Sequence, residues 1–453
     1  MKRALPLALG ALLAGCAGPR PAPPPSAAII PPPQWREASG AEAIDTAWWR
    51  GFGDPVLAKL VEQALAANID IATAAARVEE ARAQLRLARA QRLPDLIGTL
   101  GGGRERSISP FGKPEEQWAG RAGLSVSYDL DLFGRLASAS AAARADLLAS
   151  QAARDNVRLA VAASTASAYV NLVELDAQLQ VVLDTLAARE ASLRLVRRRA
   201  EAGYAPALDL RQAEAEYRAA EQAIPVIKLA IRRQEDGLAI LLGQNPASIA
   251  RGKPLAALAL PRIDAGLPSA LLRRRPDIAQ AEQQLVAADR SLDSVRAAFL
   301  PSIQLSAAGG YAASTLLANP VGIFSLGGSI FEPIFDAGRL RAQQNGAAAR
   351  RDQAAFAYRK AALEAFREVE DALAGVTRSG EQQASLVAQR DALAGALMLA
   401  TNRYREGYST YLEQLDAQRS LLAAELSLVQ VRADRLIFTI RLFQALGGGW
   451  TAS

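Results

Sequence analysis

The sequence predicts a mainly α-helical chain that carries four membrane β-strands and is built as an internal two-fold repeat. Three observations predict it. Matching residues recur at fixed offsets, two long stretches at 136–201 and 340–405 contain no proline and few glycines, and short segments between helices alternate in polarity.

The duplication is the strongest of the three. Asn68-Ile69-Asp70-Ile71 through Leu93-Pro94 aligns with Arg275-Pro276-Asp277-Ile278 through Leu300-Pro301 at an offset of 207. Val78, Leu85 and Leu93 then fall on Leu285, Leu292 and Leu300. Further along the offset is 204, pairing Gly134-Arg135 with Gly338-Arg339, Gly203-Tyr204 with Gly407-Tyr408, and Leu208-Asp209 with Leu412-Glu413. These registers divide the chain into a first repeat at 46–265 and a second at 266–453.

The amino terminus reads as a secretory signal peptide over 1–15, with Lys2 and Arg3 ahead of the apolar run Ala4 to Ala14. That run is too short for a spanning helix, which needs about 20 apolar residues. The string Leu12-Leu13-Ala14-Gly15-Cys16 resembles a bacterial lipobox, which makes Cys16 the lipidation site. Cys16 is the single cysteine, so it has no disulfide partner within the chain; a chance buried thiol is the other reading. In this type of signal, Ala17 in place of Asp favours the outer membrane. Residues 16–45 follow as a lipidated tether, rich in Pro and Ala from Pro19 to Pro33.

In each half a first helix, at about 68–92 and 276–299, stops at a Leu-Pro step because the residue before proline avoids helical geometry. Alternating segments come next. Leu124, Val126, Tyr128, Leu130 and Leu132 share one parity, and so do Ile303, Leu305, Ala307, Gly309 and Tyr311. Phe324, Leu326, Gly328 and Ile330 form another strand, with Leu96 to Leu100 as a weaker partner in the first half. Period-two alternation marks a membrane strand, and on this evidence alone a soluble hairpin fits equally.

The stretches 136–201 and 340–405 are dominated by Ala, Leu, Arg and Glu, strong helix formers. Each would reach roughly 100 Å at the α-helical rise. Gly203 and Gly407 end them, and return helices follow at about 206–242 and 410–446. Apolar residues recur every seven positions: Leu172, Leu179, Leu186, Leu193; Tyr217, Ile224, Ile231, Leu238; and Leu415, Leu422, Val429, Leu436, Phe443. That spacing predicts antiparallel coiled-coil hairpins. Pro225 should kink one of them or mark where it leaves the helical layer.

Composition removes several function classes. The chain has no histidine and only one cysteine, so the commonest general base and the soft metal ligands are missing. No phosphate loop, nucleophile elbow or dinucleotide fingerprint is present, and Gly101-Gly102-Gly103 runs into charged residues rather than a helix. The net charge of +6 comes from arginines interleaved with acids, the pattern of solvated helix faces rather than of a nucleic-acid surface. Neither a cofactor nor nucleic acid is expected.

Four strands cannot close a barrel, and open edges in lipid leave backbone groups unsatisfied at several kcal/mol each. Self-assembly follows. Two copies would give eight strands and a lumen filled by side chains; three would give twelve and an opening.

Several motifs resemble one family. Gly266-Leu267-Pro268-Ser269, Leu271-Leu272, Arg274-Arg275-Pro276-Asp277-Ile278 and Ala281-Glu282 look like the signature of TolC-type outer-membrane efflux lipoproteins of resistance–nodulation–division (RND) pumps. So do Phe299-Leu300-Pro301-Ser302-Ile303, Ile334-Phe335-Asp336-Ala337-Gly338-Arg339-Leu340, and Tyr411-Leu412 through Leu415-Asp416-Ala417-Gln418-Arg419. The resemblance covers nearly the whole mature chain. It implies a homotrimer in the outer membrane, with a twelve-stranded barrel continued by a long α-helical coiled-coil barrel in the periplasm. It also implies docking to a periplasmic membrane-fusion adaptor and an inner-membrane RND transporter, with passive export of drugs or other small solutes.

The same resemblance implies a gate at the periplasmic tip. Glu413 and Asp416 take the positions of two acidic rings, and Tyr404 and Asp209 match a latch pair. Leu412 and Arg419 match positions that narrow the tip, while Ser409 stands where some relatives carry a second, arginine latch. A solvated helical turn is the plainer reading of these charges. Two rival functions also fit in part. A lipid-anchored coiled-coil scaffold would need no strands. A duct for soft-metal export would favour methionine runs, and the chain has only Met1 and Met398.

Overall fold

A computed structural model describes residues 19–37, 44–261 and 263–451. Cys16 and the leader lie outside the described residues.

The element order repeats. Helix α1 (Pro55–Ala67) leads into α2 (Ile69–Ala90), strands β1 (Asp95–Ile108) and β2 (Pro114–Asp129), and helices α3 (Arg135–Glu201) and α4 (Ala207–Leu241). Then come α5 (Pro276–Ala297), β3 (Ser302–Ser314), β4 (Val321–Phe331), α6 (Arg339–Glu406) and α7 (Tyr411–Ala445). Corresponding helices match in length: 22 and 22 residues for α2 and α5, 67 and 68 for α3 and α6, 35 and 35 for α4 and α7. Helix α1 was not anticipated, although Asp54-Pro55 is a legible start. The Asp54 carboxylate accepts from Val56 N–H at 2.8 Å, and proline needs no donor at the first position.

Two compact units cut across the repeats, each drawing on both halves. The first holds the sheet, four antiparallel strands in the order β1-β2-β3-β4. Its register places Leu96 opposite Val126, Leu124 opposite Gly309, Tyr128 opposite Leu305, and Leu326 opposite Ala307. Side chains alternate across a strand, so all the alternating residues read from the sequence within the strands stand on one face. That face is apolar. The other carries Thr99, Gln117, Arg121, Ser125, Gln304 and Ser325. Phe324 and Leu326 are 85% and 80% exposed, as lipid-facing residues of a single chain should be. The strands differ from expectation at their ends. β1 runs on to Ile108, held at its far end by an Arg104–Glu116 cross-strand ion pair, and β2 stops at Asp129, before Leu130 and Leu132.

The exit from each strand pair is capped alike. Asp131 accepts from Leu136 and Ala137 N–H at 2.8 and 2.7 Å, and Asp336 accepts from Leu340 and Gly338 N–H at 2.8 and 3.0 Å. These bonds, that from Leu340 first, hold the half-buried Asp336 carboxyl below its usual range.

The first part of the expected tether is docked within this unit rather than free. Arg351, 3% exposed, donates to the Pro21 and Ala22 carbonyls, Arg359 donates to Ser26 O, and Arg20 pairs with Asp289 at 2.6 Å. In the second unit the segment continues with Trp35 donating to Gly266 O at 2.9 Å and Arg378 pairing with Glu37 at 2.8 Å.

The second unit holds most of the helical core. Trp48 stacks on Phe443 with ring centroids 4.9 Å apart, and Phe52 is fully buried beside them. Every heptad residue read from the sequence is buried or half-buried. Helix α4 passes through Pro225 without interruption. Pro225 is exposed there, so water can satisfy the carbonyl it frees. The Arg275 side chain explains one motif: it pairs with Asp277 at 2.6 Å and Glu368 at 2.7 Å, and donates to the Ala445 carbonyl at 2.9 Å near the end of α7. Among the described residues no helix is long and apolar enough to cross a membrane.

Glu174 of α3 is 7% exposed and faces the charge of Asp434 on α7. Burial, then Asp434, raise its carboxyl to about 7. The folded state therefore holds this proton more tightly than the unfolded chain, and the stability gained is lost as pH rises from about 4.5 to 7. Glu174→Gln should flatten that decline, with thermal melts converging at pH 4 and the variant melting higher at pH 8. Parallel melting curves across this range would contradict it.

Candidate functional site

Two helical hairpins meet at the tip within the second unit. The α3/α4 hairpin turns at Gly203 (φ 79°) and the α6/α7 hairpin at Gly407 (φ 83°), the left-handed stops that glycine adopts without strain. Leu193 and Val196 from α3, Ala213 from α4, Tyr404 from α6, and Tyr411 and Leu415 from α7 form one buried cluster.

The hairpins are also tied by polar contacts. Arg199 of α3 donates to the carbonyls of Tyr404 and Arg405 at 2.8 and 2.5 Å, and its guanidinium lies 4.9 Å from the Tyr404 ring centre. A cation on the last carbonyls of α6 satisfies acceptors that the helix leaves open. Deeper in, the Glu216 carboxylate on α4 is held by Arg189 of α3 at 2.9 Å and by Arg419 of α7 through a charge-assisted bond. The Arg189 and Glu216 side chains are 6% and 11% exposed. Gln414 and Gln418 both donate to Ser192 Oγ, at 3.3 and 3.1 Å. Burial, then the Glu216 charge, push Tyr411 up to about 12.

The residues read from the sequence divide into two groups. On the first turns of α7, Tyr411, Gln414, Leu415 and Gln418 are buried. Leu412, Glu413, Asp416 and Arg419 occupy the opposite, exposed face, Leu412 at 57%. Glu413 also lies 3.7 Å from Arg403 within its own hairpin. Tyr404 and Asp209 are close enough that the Asp209 charge, after burial, raises the Tyr404 hydroxyl. No hydrogen bond joins them: the Arg199 side chain, rather than Asp209, interacts with the Tyr404 hydroxyl, and among the described residues the Ser409 hydroxyl is buried without a partner. Partial burial pushes the Asp209 carboxyl up as well.

Arg189, Ser192, Arg199 and Glu216 were not singled out from the sequence. They sit in Arg- and Glu-rich helical stretches with the spacing of solvated faces, and only Glu216, three residues after Ala213 on the same face, carried a weak signal. The arrangement positions side chains and charges across two hairpins. It brings no nucleophile, base and cavity together.

Comparison with known proteins fits this geometry. The family model for the outer membrane efflux protein matches twice, at residues 60–244 and 267–448. The solvent efflux pump outer membrane protein SrpC of Pseudomonas putida is 37% identical over 413 residues, 89% of this chain and 87% of that protein. The pyoverdine export outer membrane protein OpmQ of Pseudomonas aeruginosa is 36% identical over 98% of this chain and 97% of that one. The open state of the Neisseria gonorrhoeae MtrE outer membrane channel superposes with a TM-score of 0.86 at 30% identity, covering 96% of this chain and 98% of that one. The chain belongs to the outer membrane efflux protein family: it is an outer-membrane efflux channel, a passive duct and not an enzyme.

Proposed function

We propose that three copies of this chain close a twelve-stranded barrel and that their paired hairpins form a tunnel gated at its periplasmic tip. The observation that carries this reading is the four-stranded sheet, largely apolar on one face and mostly small or polar on the other, with no partner for either edge among the described residues. In lipid each edge must pair with another copy. Cys16 carries the acyl anchor. The partners are a periplasmic membrane-fusion adaptor and an inner-membrane RND transporter. The groove of about 760 Å³ along α3 and α4, lined by Arg194, Arg197, Arg211, Arg218, Glu190 and Glu214, offers an adaptor a charged seat. The solute is a drug or another small molecule; the relatives are named for the export of solvent and of pyoverdine.

At the tip, three copies each of Glu413 and Asp416 make an acidic constriction, narrowed by Leu412 and Arg419. Their shared exposed face, turned away from the buried side of α7, supports this reading. The contacts of Arg199 and Glu216 hold the hairpins in the closed arrangement, and Tyr404, packed in the buried cluster between them with Asp209 nearby, adds a weaker hold. Opening is a shift between two packings, biased by the adaptor and powered by the inner-membrane partner. The double change Asp209→Ala with Tyr404→Phe should raise single-channel conductance in planar bilayers, by less than loss of Glu216 does. Unchanged conductance would remove this pair from the gate.

A further inference from the structure

The water-facing side of the sheet carries one basic residue. Among the lysines and arginines of the four strands, Arg104 and Arg106 stand on the apolar face and Arg121 alone stands on the other. Its row across the sheet reads Gly101, Arg121, Ala312 and Val321, and the next row on that face reads Thr99, Gly123, Gly310 and Ile323. No acid stands beside it. Glu105, the nearest on this face, is opposite Gln117, four residues along β2 and so about 13 Å away at the strand rise. Arg121 is exposed, and its side chain makes no ion pair or hydrogen bond among the described residues.

The sheet bends toward this face beside Arg121. A Cβ added to Gly310 would fall 2.2 Å from the Ala122 carbonyl oxygen, and one added to Gly123 would fall 3.0 Å from that of Gly309. Both would project on the Arg121 side, so β2 and β3 close on each other there in a way that glycine permits. A hollow of about 230 Å³ lies at the bend, lined on this face by Arg121, Thr99, Ser125, Ala308, Ile323 and Ser325. A planar guanidinium with three hydroxyls near it is a donor set for a carboxylate, and Ile323 offers an apolar wall to the carbon next to it. A hollow of this volume takes one group of a solute rather than a whole drug-sized molecule. Such partial seating suits a duct, because what binds a pore wall must also leave it.

We propose that the three Arg121 side chains of the assembled barrel form a cationic ring that receives the carboxylate of an organic anion on its way out. The proposal rests on the three-chain barrel. It adds a station of opposite charge to the acidic tip, further along the outward path.

Planar-bilayer recordings with citrate added from the extracellular side test it, because that side reaches the barrel before the tip. Citrate should reduce the wild-type current. Arg121→Gln should weaken that block about tenfold, the lower end of what a hydrogen bond to a charged group contributes. Arg121→Lys should keep most of it. Arg121→Cys should lose the block and regain it on reaction with a cationic methanethiosulfonate, which restores the charge; wild type, whose single cysteine is Cys16, should not respond to that reagent. Equal block of wild type and Arg121→Gln, or no block of wild type, would overturn the ring. A conducting Arg121→Cys channel that gains no reagent mass would instead overturn the reading that this face lines the water-filled barrel.

Discussion

Replacing Glu216 with alanine is expected to lower stability by about 3 kcal/mol and to raise the open fraction of the channel. Arg189 is almost wholly buried against Glu216 and would lose its charge partner, keeping only its bond to the Glu216 backbone carbonyl at 2.8 Å. A buried cation without a counter-charge is costly, which sets the size of the effect. Arg419 would be released at the same time, and with it the tie between α4 and α7. Because Arg419 is 55% exposed, that tie alone contributes less. If the tie holds the closed packing by about 1.4 kcal/mol, its loss shifts the closed–open equilibrium about tenfold. Glu216→Gln separates the two effects, since it keeps a hydrogen-bond acceptor for Arg189 and removes the charge. Thermal melts report stability and planar-bilayer recordings report opening. A destabilised Glu216→Ala channel with wild-type conductance would leave Glu216 as a core residue with no part in gating.

The second large effect concerns the barrel. Leu326 lies at the middle of β4, 80% exposed on the apolar face, opposite Ala307. Leu326→Arg should cost about 2–4 kcal/mol, the penalty of a charge at the bilayer midplane. Ser325→Arg, one residue away on the other face, should cost much less, because it would project into water. Yields of folded, protease-resistant channel in liposomes compare the two. Equal losses would mean that the sheet does not present its apolar face to lipid.

These two residues also show what could be read from the chain and what could not. Leu326 was legible because strand polarity follows a period of two, which survives in any single segment. The long helices were legible for a similar reason: seven-residue spacing and helix propensity are local, and the glycine stops at 203 and 407 are local too. Glu216 was not legible. Its partners Arg189 and Arg419 are far away in sequence, and an Arg- and Glu-rich helix has the same composition whether its charges face solvent or one another. The burial of Arg189, Glu174 and Arg351 corrects the expectation that such charges lie on solvated faces. The docking of residues 20–37 was hidden in the same way. A proline-rich segment has no period that shows which surface it follows, and its hold comes from side chains such as Arg351 more than 300 residues later. The expected Tyr404–Asp209 pair was found close together but not bonded, because the Arg199 guanidinium, rather than Asp209, sits against Tyr404.

In the proposed assembly one chain supplies a third of the pore wall, and counting chains tests this most directly. Native mass spectrometry of the channel released intact from outer membranes should give three chains per particle, supplying twelve strands around an open lumen. A particle of two chains, with eight strands and a lumen filled by side chains, or a stable single chain, would contradict it.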